Sequence, residues 1–247
     1  MNKLYIQLYS VKKALQNDFK GTLKALSDMG YDGVEFCGNY GEMTGQELSE
    51  YLDYLGLTAV SAHVPVDDIL DDEKFKMHAD ILSKCGCMYM AHGWIDPEKT
   101  DLDEFAEKLE AATEKCAMNG FVYCYHTHGK EFEIKDSDGV SYFDNLMEKA
   151  DLCMPEFDVF WMKHAGVDIE QYLRRYAGKI NLLHVKQMKD DESKEITSLD
   201  NGIIDFAPIV KTAKKFGTEC FIYEQDYPTT DELSDAKSSI EYFRTLK

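Results

Sequence analysis

The side chains in this sequence that could do chemistry together are carboxylates and imidazoles, and they sit at the ends of short, widely spaced apolar runs. Glu35 closes one run, His63 another, and His92 a third with Trp94 just beyond. A fourth ends in Tyr125-His126-Thr127-His128-Gly129-Lys130-Glu131-Phe132. Further on come Glu156 and Asp158 with Trp161 beyond, then His184 and Lys186, then Glu224 and Asp226; Gln7 and Tyr9 hold the matching place near the start. Six of the seven histidines stand at or just past such an end, and only His78 reads as a helix-surface residue. Acids and imidazoles drawn from separate segments suit a divalent cation such as Mn2+, Mg2+, Co2+ or Zn2+. An ion held this way binds a carbonyl and its neighbouring hydroxyl and stabilises an enediolate, while carboxylates take and return a proton. The substrate class such chemistry suits is a small carbohydrate.

For these side chains to meet, their runs must be strands that share one edge. Candidate strands cover 3–10, 32–36, 58–64, 87–92, 121–127, 152–159, 180–186 and 220–225. Between them lie amphipathic stretches such as FKGTLKALSDMGY, GQELSEYLDYLGL and LDEFAEKLEAATEKCAMNG, with apolar residues at three- and four-residue spacing. Gly30, Gly56, Gly86, Gly120 and Gly217 stand where helices prefer a left-handed last residue. The strand starts recur at roughly thirty residues, the length of a βα unit. Eight such units joined by right-handed crossovers predict a (β/α)8 TIM barrel over residues 1–247, one α/β domain of parallel strands. A doubly wound open sheet is the competitor, and neither G-x-G-x-x-G nor a P-loop is present to support it. In a barrel the strand C-termini form the active-site face, which is where the acids and histidines fall.

Composition narrows the function classes. The net charge of −19 argues against nucleic acid and anionic membranes as partners, because neither can neutralise an acidic surface. No stretch approaches about 18 consecutive apolar residues, and the N-terminus reads as a strand rather than a signal peptide. Seven scattered cysteines fit reduced thiols in a cytoplasmic protein better than a disulfide framework. Cys85-Gly-Cys87 lacks a second pair at zinc-site spacing and reads as packing. Oligomeric state leaves no mark on the sequence.

At these residues the chain resembles the xylose isomerase-like TIM-barrel superfamily, within it the sugar phosphate isomerase/epimerase group. The likeness runs in order through IQLYS, GYDGVEF-x-GNYG, GL-x5-AHV, YHTHGKEF, EFDVFW-x3-AG, LLHVK and YEQD. YHTHGKEF is similar to the group's YHNHxxEF. EFDVFWMKHAG is similar to its elDvyWv-x-x-aG. The resemblance implies a metal held by Glu, Asp, His and Glu from strands 5 to 8. Carried over, these are Glu131, Asp158, His184 and Glu224, with His126 or His128 as alternatives to Glu131 at strand 5. Two positions depart from the pattern. Gln187 follows HVK where Asp is frequent, and Ser198-Leu199-Asp200-Asn201-Gly202 keeps one glycine of a usual G-x-G turn.

Each assignment has a plainer alternative. Glu35 reads equally as a substrate contact or as a carboxylate paired inside the mouth. His63 and His92 read as substrate contacts, with a satisfied structural histidine close behind; His126 and His128 read as substrate contacts when not ligands. Lys186 neutralises an enolate or makes a salt bridge to Asp158 or Glu224. Trp161 walls a sugar's C–H face or packs the core. His164 reads as exposed on a loop. Asp158 and Glu224 depart most firmly from a structural role, since a buried acid without a partner is costly. The leading function is a metal-dependent isomerase or epimerase of a sugar or sugar phosphate, with Glu131 and Glu224 as the acid/base pair. A lyase or dehydratase on a keto-inositol or 3-keto-glycoside shares the proton abstraction. A non-catalytic sugar-binding barrel or complex subunit follows from the departures at Gln187 and 198–202. The superfamily's DNA-repair branch needs a basic face that this chain lacks.

Overall fold

Each of the eight candidate runs becomes a strand of one closed parallel barrel. In the computed structural model, which describes residues 3–246, the strands are β1 (Leu4–Gln7), β2 (Gly33–Phe36), β3 (Thr58–His63), β4 (Tyr89–His92), β5 (Val122–His126), β6 (Met154–Asp158), β7 (Leu182–Val185) and β10 (Cys220–Tyr223). They close in the order β1-β10-β7-β6-β5-β4-β3-β2. A short antiparallel pair, β8 (Gln187–Met188) with β9 (Ile196–Thr197), was not legible in the sequence. The strands are shorter than expected because the turns begin early. Leu8–Val11 is already a 3-10 turn, Val159 already starts a helix, and Glu224 lies past the end of β10.

The helices are α1 (Lys12–Asn17), α2 (Phe19–Met29), α3 (Gly45–Leu55), α4 (Val66–Leu70), α5 (Asp72–Lys84), α6 (Leu102–Met118), α7 (Lys130–Glu133), α8 (Tyr142–Lys149), α9 (Val159–His164), α10 (Ile169–Arg175), α11 (Phe206–Lys215) and α12 (Glu232–Phe243). Side-chain caps set several starts, as in the capping box of Thr44 and Glu47 at α3. The glycines expected at helix ends all adopt positive φ, Gly30 at 94° among them. No helix among the described residues is long and apolar enough to cross a membrane.

Period-two alternation sorts the residues of the barrel strands between two cores, with one break in β3. Outward residues such as Ile6, Val34, Phe36, Leu183 and Phe221 pack against Leu23, Leu48, Leu109 and Phe243 of the helices. Inward residues Tyr5, Val60, Ala91, Cys124, Leu182 and Ile222 fill the lower barrel as a separate apolar cluster. A bulge between β2 and β3 skips Val60, pairing Val34 with Ala59 and Glu35 with Ser61. It lets Val60 join the interior cluster while the Ser61 hydroxyl still reaches inward to Glu35.

Candidate active site

Two residues above the apolar cluster, the same strands turn ionisable side chains inward. Cys124 is followed by His126, Leu182 by His184 and Ile222 by Glu224; one step higher stand Asp158, Lys186 and Asp226. His184 Nδ1 lies 3.0 Å from Glu224 Oε2, and its Nε2 lies 2.9 Å from Glu35 Oε1 and 3.6 Å from Glu156 Oε2. His63 Nε2 is 3.0 Å from Glu156 and 3.2 Å from Glu35, and His126 Nδ1 is 3.1 Å from Glu156. Lys186 Nζ sits among Glu224 at 3.0 Å, Asp158 at 3.2 Å and Asp226 at 3.3 Å. Asp158 is fixed by the helix it starts. Its Oδ1 accepts from the backbone N–H of Phe160 and Trp161, which leaves Oδ2 facing the site.

Burial alone would raise the carboxylates and lower the histidines, and neighbouring charges overturn that for several of them. Against burial, Glu35 is held well below its ordinary range by His63 and His184. Glu156 goes against both burial and Glu35 to about 2, with His184 and His126 as the cause. Against burial, Lys186 and His184 hold Glu224 well down. Glu35 lifts His63 to about 10, and Glu35 with Glu156 lifts His184. Burial depresses His126, helped by His184. Burial raises Glu131 and Asp158. Protons on His63, His184 and Lys186 thus balance the buried anions.

This donor set fits a divalent cation. Glu156 Oε1 is buried without a hydrogen bond, which is costly for a polar atom unless something binds it. Asp158 Oδ2 and His184 Nε2 meet ion-pair partners, Lys186 at 3.2 Å and Glu35 at 2.9 Å, but no aligned hydrogen bond. His126, Asp158, His184 and Glu224 offer one ligand atom each, all within 4.8 Å of one another. His63, His126, Glu156 and His184 form a second such group. Oxygen and imidazole donors together match first-row transition ions such as Mn2+, Co2+ or Zn2+.

Above the cluster opens a cavity of about 1080 Å³. His63, His126, His128, Trp161, Glu131 and Glu224 line it. Other expected site residues lie elsewhere. Glu35 is wholly buried and off the cavity wall, where Gln7 Nε2 donates to it at 2.7 Å and His63 and His184 lie at 3.2 and 2.9 Å. His92 reaches the wall but belongs to the outward set of β4. Its Nδ1 accepts from Val66 N–H at 3.0 Å and its Nε2 meets Trp94 O at 3.0 Å, so both ring nitrogens are engaged by backbone. Glu131 stands on α7 outside both candidate metal groups. Its Oε1 accepts from the Tyr125 hydroxyl and the His128 N–H, and His126 holds the strand 5 place beside Asp158 and His184. Lys186 is buried among its three acids and is not itself part of the cavity wall. His164 is exposed, at the end of α9 rather than on a loop.

Glu156, which the family resemblance does not place among the ligands, joins His63, His126 and His184, and its two-residue spacing from Asp158 marks it as inward. His78 is buried, not on a surface. Gln187, the departure from the family pattern, turns away from the cluster. Its Oε1 accepts from the backbone of Met188 and Ile204 at 2.8 Å, and its Nε2 donates to Leu199 and Ile204 carbonyls at 3.2 Å. Gly202 closes that brace, since a Cβ there would sit 2.2 Å from Met188 O. The altered loop is a structural clamp, so it says nothing against metal binding.

A parallel eight-stranded barrel with a buried carboxylate–imidazole cluster at its C-terminal mouth defines the class. Residues 23–246 match the model of the xylose isomerase-like TIM barrel, and the chain belongs to that family. A sugar phosphate isomerase/epimerase from Parabacteroides distasonis ATCC 8503 superimposes with a TM-score of 0.83 at 21% identity, covering 100% of this chain and 96% of that one. An L-ribulose 3-epimerase gives 0.74 at 18%, covering 99% and 94%. The probable 3-DHS dehydratase AsbF from Bacillus anthracis gives 0.75 at 13%, covering 98% of each chain. These likenesses are of fold. No curated protein matches in sequence.

Proposed function

We propose that the chain is a metal-dependent isomerase or epimerase of a carbohydrate, acting by proton transfer next to a carbonyl. The observation that carries this reading is the convergence of His126, Asp158, His184 and Glu224 from four consecutive barrel strands, within 4.8 Å, at the floor of the cavity. Those four would hold the ion, with His126 in place of Glu131. When bound, the ion supplies polarisation of a substrate carbonyl and hydroxyl.

The rest falls to the chain's own residues. Glu131 and Glu224 both line the cavity, and their environments push their proton affinities apart. Burial favours the protonated acid on Glu131, aimed by Tyr125 and His128, whereas Lys186 keeps Glu224 a carboxylate. Two carboxyl groups so separated are suited to give and to take a proton. Lys186 acts as a positioning residue, holding Asp158 and Glu224 through its ion pairs. Trp161 and His128 line the cavity where the sugar would lie.

The test is metal content by elemental analysis together with exchange of substrate hydrogen for deuterium in heavy water. About one ion per chain in wild type, lost in Glu224→Gln along with exchange, is the expected result. No ion in either protein would overturn the reading. Loss of water with a new ultraviolet-absorbing enone would instead favour the dehydratase chemistry of a relative in fold such as the Bacillus anthracis protein.

A further inference from the structure

Resting on that reading, we propose that the cavity selects an uncharged carbohydrate or polyol and disfavours the same sugar bearing a phosphate. Barrels that bind phosphate do so with loops after the seventh and eighth strands and with helix N-termini on the mouth face. In this chain, the protein's own carboxylates fill such positions. Both Glu232 oxygens accept from Lys13 N–H, and Oε2 also takes Ala14 N–H at 3.0 Å, at the start of α1. After β10, Asp235 Oδ2 takes the Thr229 N–H at 2.5 Å. Asp231 takes the first N–H groups of α12, and Asp158 those of α9.

The cations at the mouth are engaged as well. Lys130 lies 2.5 Å from Glu98 and 3.7 Å from Asp96. Lys186 is matched by three acids. Lys12 lies 3.5 Å from the Tyr9 ring centroid and donates to the Asp226 carbonyl at 3.4 Å. Glu133 adds an acid to the wall, beside the exposed His164. A phosphate would therefore meet oxygen acceptors and cations that already have partners, two paired with acids and Lys12 held by a ring face and a carbonyl. It would do so within a chain of charge −19 whose long-range field has the same sign. Sugar hydroxyls donate well to such acceptors, and Trp94 and Trp161 offer ring faces for C–H groups.

The chain's two tryptophans both line this cavity, so intrinsic fluorescence reads its occupancy directly. Mn2+-supplemented protein would be titrated with D-fructose, D-tagatose, D-ribulose and D-xylulose, with their terminal phosphate esters, and with inorganic phosphate. The expected result is a saturable change with at least one unphosphorylated ketose, at least tenfold weaker binding of its ester, and no response to inorganic phosphate at millimolar concentration. Glu133→Lys should narrow the gap several-fold. An ester that binds as tightly as its parent sugar overturns the proposal. So does a response to inorganic phosphate, a gap unmoved by Glu133→Lys, or silence from both series. Absence of a bound ion or of deuterium exchange would instead strike the isomerase reading and leave the measured preference standing.

Discussion

The lower and upper layers of the barrel interior are built from the same strands and obey opposite rules. Below, Tyr5, Cys124, Leu182 and Ile222 form an apolar plug; two residues further along the same strands stand Gln7, His126, His184 and Glu224. A shift of one pleat moves the chain from burial that stabilises to burial that costs, because charged groups out of water need partners. The upper layer meets this by pairing: each of Glu35, Glu156 and Glu224 touches at least two of the cations His63, His184 and Lys186 or the ring of His126. The lower layer holds the walls at the spacing that makes those pairs possible. Stability and chemistry are therefore separable along each strand.

Removing a cation from the upper layer should have the largest effect. Lys186→Met leaves the buried Asp158 and Glu224, with the half-buried Asp226, around an apolar side chain, and a broken buried pair costs about 3–5 kcal/mol. Urea unfolding of the metal-free protein should show that loss; a change below about 1 kcal/mol would mean water reaches the site and the layers are less distinct than drawn. In the lower layer, Ile222→Ala should cost about 3 kcal/mol through the cavity it opens. Its ion content should stay at the wild-type level, and loss of the ion would join the two layers into one unit. Glu35→Gln is subtler. Glu35 orients His184 and His63 without reaching the cavity, so Mn2+ affinity should fall about 10–100-fold, as when an outer partner of a ligand is lost. Sugar affinity in the ion-saturated variant should hold; if it falls instead, Glu35 touches substrate after all.

The contrast between layers also explains what was legible. Alternating strands and amphipathic helices made the barrel readable, and barrel topology put the active site at the strand ends that carry the acids and histidines. What the ends alone did not give was direction. His92 and His126 both close strands, yet His92 follows Met90 on the outward set whereas His126 follows inward Cys124. Glu131 lies on a helix, where period two no longer applies, so its distance from the ligand group depended on loop geometry. Gln187 looked like a change at the metal because it follows His184 and Lys186, but odd spacing turns it to the other side. The β8–β9 pair has two residues per strand, too short to leave a pattern.

His78 carries the smallest prediction and the clearest lesson about direction. Its neighbours Met77 and Asp80 suggest a surface, but Phe75, His78 and Leu82 recur at three and four residues and form the buried stripe of α5. Asp68 lies 3.8 Å from Nε2, which favours the proton there, so Nδ1 accepts from the Tyr40 hydroxyl at 2.8 Å. Burial lowers the affinity of His78 for a second proton, and the opposing pull of Asp68 does not restore it. The unfolded chain takes up that proton below its ordinary value of about 6.5 while the folded protein resists. This residue's share of stability is therefore intact above that pH and falls as the solution is acidified through it. His78→Ala should cost about 1–2 kcal/mol at neutral pH by orphaning the buried Tyr40 hydroxyl. The same variant should lose less than wild type between pH 7 and 5, as the proton no longer has a site in the unfolded chain. Chemical denaturation at the two pH values measures both effects, and a variant as stable as wild type at neutral pH would return His78 to the surface role its neighbours suggest.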